Sequence, residues 1–315
     1  MIEMKKILPF ILKFIVSASI FYVLFNNVDF SGTIQSLVGI HKGFLSIAVV
    51  LMIIQVIAAT SRWKIVLSQF EIFVSFKEVM QMIWIGLFFN QILPSSIGGD
   101  TIRSYYLYKK NHSLGLSVLS VLADRVIGLI ALVFLVLVTI TLAFDLIKDP
   151  IARWGISLIA IGSTSGVIVI LTLNNFTKKL VHLKLIRGLF TISLKCKEMI
   201  FSVYPGVKLI SISLLIHILS IVTITILSLG MSLNINWLGL IIIMPLASLI
   251  MIVPISIAGW GLREGVMVIG LGFVGVASEN ALALSLSYGI LMFIVFLPGL
   301  AIWLMSGHLS AHQVK

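Results

Sequence analysis

The sequence predicts an all-α, polytopic integral membrane protein with about six full spans. It adds two broken, re-entrant helical hairpins related as an inverted repeat. Three observations predict this class. The chain is 60% hydrophobic and 10% charged over 315 residues, with a mean hydropathy of +1.19. A soluble domain carries about 25% charge and could not bury so much apolar surface. Long Ile/Leu/Val runs without alternation exclude a transmembrane β-barrel. Finally, one ten-residue phrase occurs twice. Pro94-Ser95-Ser96-Ile97-Gly98-Gly99-Asp100-Thr101-Ile102-Arg103 returns at an offset of 160 as Pro254-Ile255-Ser256-Ile257-Ala258-Gly259-Trp260-Gly261-Leu262-Arg263, with Pro, Ser, Ile, Gly and Arg in register. Each copy interrupts an apolar run with Pro, Gly and charge, as in a helix broken inside a membrane.

In order, Lys5 and Lys6 precede an apolar run, Ile7 to Phe25, that holds Pro9 and Lys13. It is long for a signal-peptide core and reads as an uncleaved first span with a cytoplasmic N-terminus. Asn26 to Lys42 reads as an outside loop. Phe44 to Thr60 is the second span, and Arg62 and Lys64 mark its cytoplasmic end. Val79 to Leu93 covers only about 22 Å of a ~30 Å core. The first motif follows, and then Thr101 to His112, whose tyrosines and Lys109-Lys110 suit an interface.

Leu114 to Phe144 is a long helix with Asp124, Arg125 and Gly128 in its first turns. After a short polar loop, Asp145 to Arg153, comes the span Trp154 to Leu173. Residues 174–208 form a basic segment with Lys178, Lys179, Lys184, Arg187, Lys195 and Lys197 up to Pro205, against Glu198 alone. Interleaved apolar residues make it an amphipathic helix for the inner leaflet. Leu209 to Gly230 spans again, with His217 expected as a packed, hydrogen-bonded residue. Trp237 to Val253 leads to the second motif, and Gly265 to Val276, at about 18 Å, cannot span alone. Ala281 to Leu304, containing Pro298, is the last span. The whole chain, 1–315, reads as one membrane domain, with 79–112 and 237–276 as its two broken-helix segments.

Charge decides the topology. If residues 79–112 crossed the membrane, the basic 174–208 segment would fall outside, against the positive-inside rule. If they enter and return, Lys109, Lys110 and the basic segment all lie inside. The second motif is then approached from the opposite face, which is an inverted repeat.

The net charge is +11, from 22 Lys+Arg against 11 Asp+Glu. In a membrane chain this reflects topology and anionic lipid, not nucleic acid. Cys196 is the single cysteine, so no intrachain disulfide and no cysteine metal site is expected. Asp100, Arg103, Asp124, Arg125, Arg263 and Glu264 fall at or near membrane depth, where charge is tolerated only when paired or facing a wet cavity. Two readings stay open. The charges pair with one another and fix the helices, or they form a polar midplane site. In the second reading Arg103 and Arg263 hold a phosphate, and backbone donors at half-helix N-termini near Gly98-Gly99 and Gly259-Gly261 assist. Asp100, Asp124 and Glu264 then meet a cationic head group or carry protons.

The run Asn90, Pro94, Gly98-Gly99-Asp100, Arg103, then Ala123-Asp124-Arg125 and Gly128, resembles the membrane domain of lysylphosphatidylglycerol synthases. Pro254-x-Ser256-x-x-Gly259-x-Gly261-x-x-Glu264 resembles that family's later motif. The resemblance covers nearly the whole chain. In two-part members, the multiple peptide resistance factors, this domain is the flippase half for aminoacylated phosphatidylglycerol, and a separate soluble domain makes that lipid. Only about ten residues follow Leu304, too few for such a domain, so the resemblance implies a stand-alone flippase-like member. The expected lipid head-group site comprises Asn90, Gly98, Gly99, Asp100, Arg103, Asp124, Arg125, Gly259, Gly261, Arg263 and Glu264.

Gly270-Leu271-Gly272-Phe273-Val274-Gly275 spells a dinucleotide-binding fingerprint but has no βαβ context, so helix packing explains it. No phosphate-binding loop or hydrolase motif is present. The expectation is therefore a translocator of an anionic or aminoacylated phospholipid, without enzymatic activity, cofactor, metal or nucleic-acid partner. It lies in the cell (plasma) membrane with both termini cytoplasmic. Two other classes stay open. One is an accessory subunit bound to a lipid-modifying enzyme, and the other is a lipid transferase with Asp124 or Glu264 as general base. A homodimer is compatible with each.

Overall fold

The computed structural model describes residues 2–93, 97–177, 184–233, 235–253 and 255–311. Pro94, Ser95 and Ser96 of the first motif and Pro254 of the second lie outside them, as do Lys178 and Lys179 of the basic segment. Among the described residues there are thirteen helices and no strand. In order they are α1 (Ile2–Asn27), α2 (Phe30–Val38), α3 (Lys42–Gln69), α4 (Phe76–Ile92), α5 (Gly98–Lys109), α6 (Leu114–Leu146) and α7 (Pro150–Thr177). They continue with α8 (Lys184–Phe201), α9 (Val203–Gly230), α10 (Trp237–Ile250), α11 (Leu262–Gly272), α12 (Ser278–Phe296) and α13 (Pro298–Ala311).

Five segments are long and apolar enough to cross a membrane: α3, α6, α7, α9, and α12 continued into α13. Residues Leu12–Asn27 and α2, bent by 96° from each other, pass the same test only as a pair. The chain is thus a multi-pass membrane protein. The stretch read as a loop from Asn26 to Lys42 is corrected here, because it contains α2. Asp29 caps that helix by accepting from the Ser31 N–H at 2.9 Å, satisfying one of the orphan donors of a helix start. The last span is also longer than expected. Proline has no N–H to donate, and the helix breaks at Leu297–Pro298 but resumes.

The repeat extends well beyond the ten-residue phrase. Adding 160 or 161 to the bounds of α3 gives α9, and the start of α4 maps onto that of α10. The two copies run in opposite directions. The His41 N–H donates to the Gly230 carbonyl at 2.9 Å. Gln55 Nε2 donates to Thr223 Oγ1 at 3.1 Å, and Arg62 Nη1 to Ser213 Oγ at 3.3 Å. Numbers rising along α3 therefore meet numbers falling along α9. Equivalent elements packed antiparallel make the repeat inverted.

Each half contains a hairpin that returns to the side it entered. In the first, α4 and α5 close at Glu78–Lys110 and approach most tightly where Gly86 meets Gly99. A Cβ on Gly99 would run into the Gly86 carbonyl and lie 2.7 Å from Asn90 Oδ1. In the second, Gly239 lies on Val274 and Gly270 on Ile243. This close packing accounts for the first glycine of the fingerprint-like run. The 17 residues of α4 and 14 of α10 cover about 25 and 21 Å, short of a full crossing. The first hairpin follows the end of α3 and the second follows the end of α9. Since α3 and α9 are antiparallel, the hairpins open toward opposite faces.

Helix α8 packs its buried Ile192, Ser193, Cys196 and Met199 against the bundle, leaving Arg187, Lys197 and Glu198 exposed. Helix α8 is amphipathic as expected, and its apolar face packs on the protein. Ser193 and Asn174 clip α8 to α7, the Asn174 N–H donating to Ser193 Oγ at 3.0 Å.

Candidate functional site

The first hairpin carries its charges into the bundle. The α5 helix begins at Gly98, so Asp100 and Arg103 stand one turn apart on its buried face, and Arg103 Nη2 donates to Asp100 Oδ1 at 2.8 Å. Two residues of α6 meet them. Arg125 donates from Nε to Asp100 Oδ2 at 2.7 Å and from Nη2 to Oδ1 at 3.1 Å. Asp124 accepts from Arg62 Nε at 2.7 Å and Nη2 at 3.3 Å, and more loosely from Arg103 Nη1 at 3.5 Å.

Close approach of helices makes room for these side chains. The Arg103 stem lies on Gly86, and the Arg62 guanidinium lies on Gly128, whose added Cβ would be 3.0 Å from Nη1. Arg103 also sits 4.8 Å above the Trp63 ring. The Trp63 Nε1–H is buried without a hydrogen-bond partner among the described residues. Asp124 is ten residues into the 33-residue α6, about 15 Å along the helix from its first residue.

This cluster brings together three arginines and two aspartates, a net charge of +1. Asp124 and Arg103 are buried, whereas the Arg125 side chain is 49% exposed. Charge at this depth is costly unless compensated. The excess charge is shared by the cluster, and Arg125, bonded twice to Asp100, is its most open member.

The second tip is built differently. Ala258, Gly259 and Gly261 have φ values of +51°, +84° and +83°, a left-handed turn that glycine adopts freely. Gly261 caps α11, its N–H donating to Glu264 Oε2 at 2.7 Å. The other carboxylate oxygen, Oε1, accepts from Arg263 Nε at 3.0 Å, from Arg263 Nη2 at 2.5 Å and from Ser285 Oγ at 3.3 Å. Arg263 stacks 4.9 Å over Trp260 and lies on Gly289, where no Cβ would fit. Ser17 of α1 closes the tip, accepting the Ile257 N–H at 3.1 Å and donating to the Trp260 carbonyl at 3.1 Å. This cluster is neutral and buried.

The charges pair, as the first sequence reading expects, and Arg103 and Arg263 lie in separate clusters, each held by a carboxylate. The structure joins Asp100, Arg103, Asp124 and Arg125 in one group and Arg263 with Glu264 in another. Gly98, Gly99, Gly259 and Gly261 shape the two tips. One expectation is corrected. The N–H groups of Gly99 and Gly261 are taken by Asn90 Oδ1 at 2.9 Å and by Glu264, because short polar side chains lie within reach of each helix start. Asn90 accordingly serves as a cap. His217 is packed as expected, with Nε2 3.1 Å from the Gly128 carbonyl oxygen.

Sequence reasoning missed Arg62, Trp63, Ser285 and Gly289. The repeat offers a signal for the last two, since adding 161 to Asp124 and Gly128 reaches Ser285 and Gly289. Each half therefore keeps a glycine seat for a guanidinium, filled from α3 in one and α11 in the other.

The model of the lysylphosphatidylglycerol synthase TM region matches residues 10–299. A UPF0104 membrane protein of Methanothermobacter thermautotrophicus is 26% identical over 268 residues, covering 76% of this chain and 78% of that protein. A UPF0104 membrane protein of Methanocaldococcus jannaschii is 29% identical over 109 residues, 34% of this chain and 32% of that protein. One of Pyrococcus horikoshii is 29% identical over 144 residues, 45% and 41% respectively. The match to the Methanocaldococcus protein thus spans about a third of that relative's length.

Proposed function

The chain belongs to the lysylphosphatidylglycerol synthase transmembrane-region family, and on that premise we propose that it moves an anionic phospholipid between the leaflets of the plasma membrane. One observation carries this reading: a buried charge cluster, net +1, one of whose arginines, Arg125, is half open. A phosphodiester bears one negative charge. Docked on Arg125, it would neutralise the cluster and accept charge-assisted hydrogen bonds from a guanidinium. Arg103 and Arg62, held by Asp100 and Asp124, keep the local potential positive without facing the ligand.

The inverted repeat supports alternating access, because two equivalent halves facing opposite sides can exchange conformations around a shared centre. The neutral second cluster would be the counterpart station, its Glu264 already matched by Arg263. In this reading the chain performs no covalent chemistry and its basic end faces the cytoplasm.

The test is leaflet exchange in proteoliposomes, with labelled phosphatidylglycerol and its lysyl derivative compared in wild type and Arg125→Gln. Support requires that wild type accelerate exchange above protein-free vesicles and that folded Arg125→Gln lose most of the acceleration. Equal exchange in the variant would remove the site. No acceleration of either lipid would remove the phosphatidylglycerol assignment.

A further inference from the structure

A second feature lies on the other face of α3. There α3 and α9, with the start of α4, enclose an open groove of about 600 Å³. Its walls include Ile54, Ile57, Ile212 and Leu215, and Lys64, Lys208 and Ser68 also line it. Because α3 and α9 are antiparallel, the lysines fall at one end and these apolar residues at the other. Lys64 lies ten residues beyond Ile54, about 15 Å along the axis, and Lys208 seven residues before Leu215, about 10 Å. The basic end is the one at which the first hairpin closes.

Among the described residues no carboxylate lines the groove. Aromatic rings hold the two ammonium groups instead. Lys64 Nζ is 5.9 Å from the Phe76 ring centroid. Lys208 Nζ is 5.3 Å from that of Tyr204 and donates to its hydroxyl at 3.3 Å. An apolar trough with two cations at its membrane-surface end matches an amphiphile with an anionic head. None of the arginine-cluster residues lines it, because Trp63 is buried on the other side of α3.

We propose that this groove binds one anionic phospholipid, with an acyl chain along the α3–α9 seam and the phosphate between Lys64 and Lys208. The assignment stands apart from translocation, since it concerns different residues and is read by binding alone. The phosphate meets two point charges. The tail replaces bulk lipid against branched side chains that already face the bilayer.

The experiment is native mass spectrometry of the delipidated full chain with added phosphatidylglycerol or phosphatidylcholine. Wild type is expected to retain one phosphatidylglycerol in preference to phosphatidylcholine. The Lys64→Gln/Lys208→Gln variant should bind it about 25-fold more weakly, a factor of about 5 for each lysine. Ile57→Trp, which fills the trough and keeps both lysines, should also lose the bound lipid. Lys195→Gln/Lys197→Gln removes the same charge elsewhere and should bind as wild type does. Equal retention of the two lipids, unchanged binding by the groove variants, or an equal loss in the 195/197 variant would each overturn the proposal.

Discussion

The first cluster permits a sharp separation between charges that hold the fold and the charge offered to a ligand. Replacing Asp124 by Asn removes the carboxylate that takes both Arg62 bonds and the looser Arg103 contact. The cluster then carries three guanidinium groups against Asp100 alone, in a buried setting. Breaking a buried pair in this way costs about 3–5 kcal/mol, mostly through the charge left behind. Arg125→Gln acts in the opposite sense. It leaves Arg62 and Arg103 against Asp100 and Asp124, a neutral set, and removes a side chain that is half exposed. Asp100 keeps its bond from Arg103, so the loss is that of charge-assisted hydrogen bonds, about 1.5–3 kcal/mol. Reversible unfolding of the purified variants in mixed micelles reads both numbers. The expected order is a large loss for Asp124→Asn and a smaller one for Arg125→Gln, with only the latter retaining a native-like fold. Equal losses, or a larger loss for Arg125→Gln, would refute the division of roles.

Three other outcomes follow from local geometry. Gly99→Ala should part α4 from α5, because its methyl group meets the Gly86 carbonyl and Asn90 Oδ1; a loss of about 1–3 kcal/mol is expected from overpacking, read by the same unfolding assay. Cys196 is fully buried in α8 and its thiol is pushed up to about 12 by burial, so maleimide labelling at pH 8 should be about 100- to 1000-fold slower than for an exposed cysteine and should appear only on unfolding. Hydrogen bonds from Lys110 and then Ser75 hold Glu78 down to about 2, from an ordinary 4.5. Its contribution to the hairpin clasp is therefore full above pH ~4.5 and lost as pH falls toward 2. Both partners are more than a third exposed, so the effect is at most about 1 kcal/mol, and Lys110→Ala should flatten the stability profile over that window.

Much of the architecture was legible because a membrane simplifies the physics. Apolar run length decided which segments span, and the Pro-Gly-Arg phrase marked both tips. The positive-inside count turned the first segment into a hairpin, which the Glu78–Lys110 closure and the antiparallel α3–α9 pair bear out. What escaped was mostly lateral. Arg62 reads as a boundary marker because charge near the end of an apolar run usually is one. Nothing local says that α3 continues to Gln69 and turns that arginine toward Asp124. The α2 helix was hidden in a mixed-polarity stretch, although Asp29 before Phe30, Ile34 and Leu37 is a cap signal. Pairing within the site depends on which helix faces face each other, and residue spacing along one chain does not encode that.

The central claim is that two equivalent hairpins enter from opposite faces and carry their charges into the bundle. Single cysteines at Lys109 and at Ala277, each in a Cys196→Ser background, mark exposed positions at the open ends of the two hairpins. Labelling with a membrane-impermeant maleimide in right-side-out and inverted vesicles reads their sides directly. The account expects the two positions to label from opposite sides, with 109 cytoplasmic. Labelling of both from the same side would contradict the inverted repeat and the mechanism built on it.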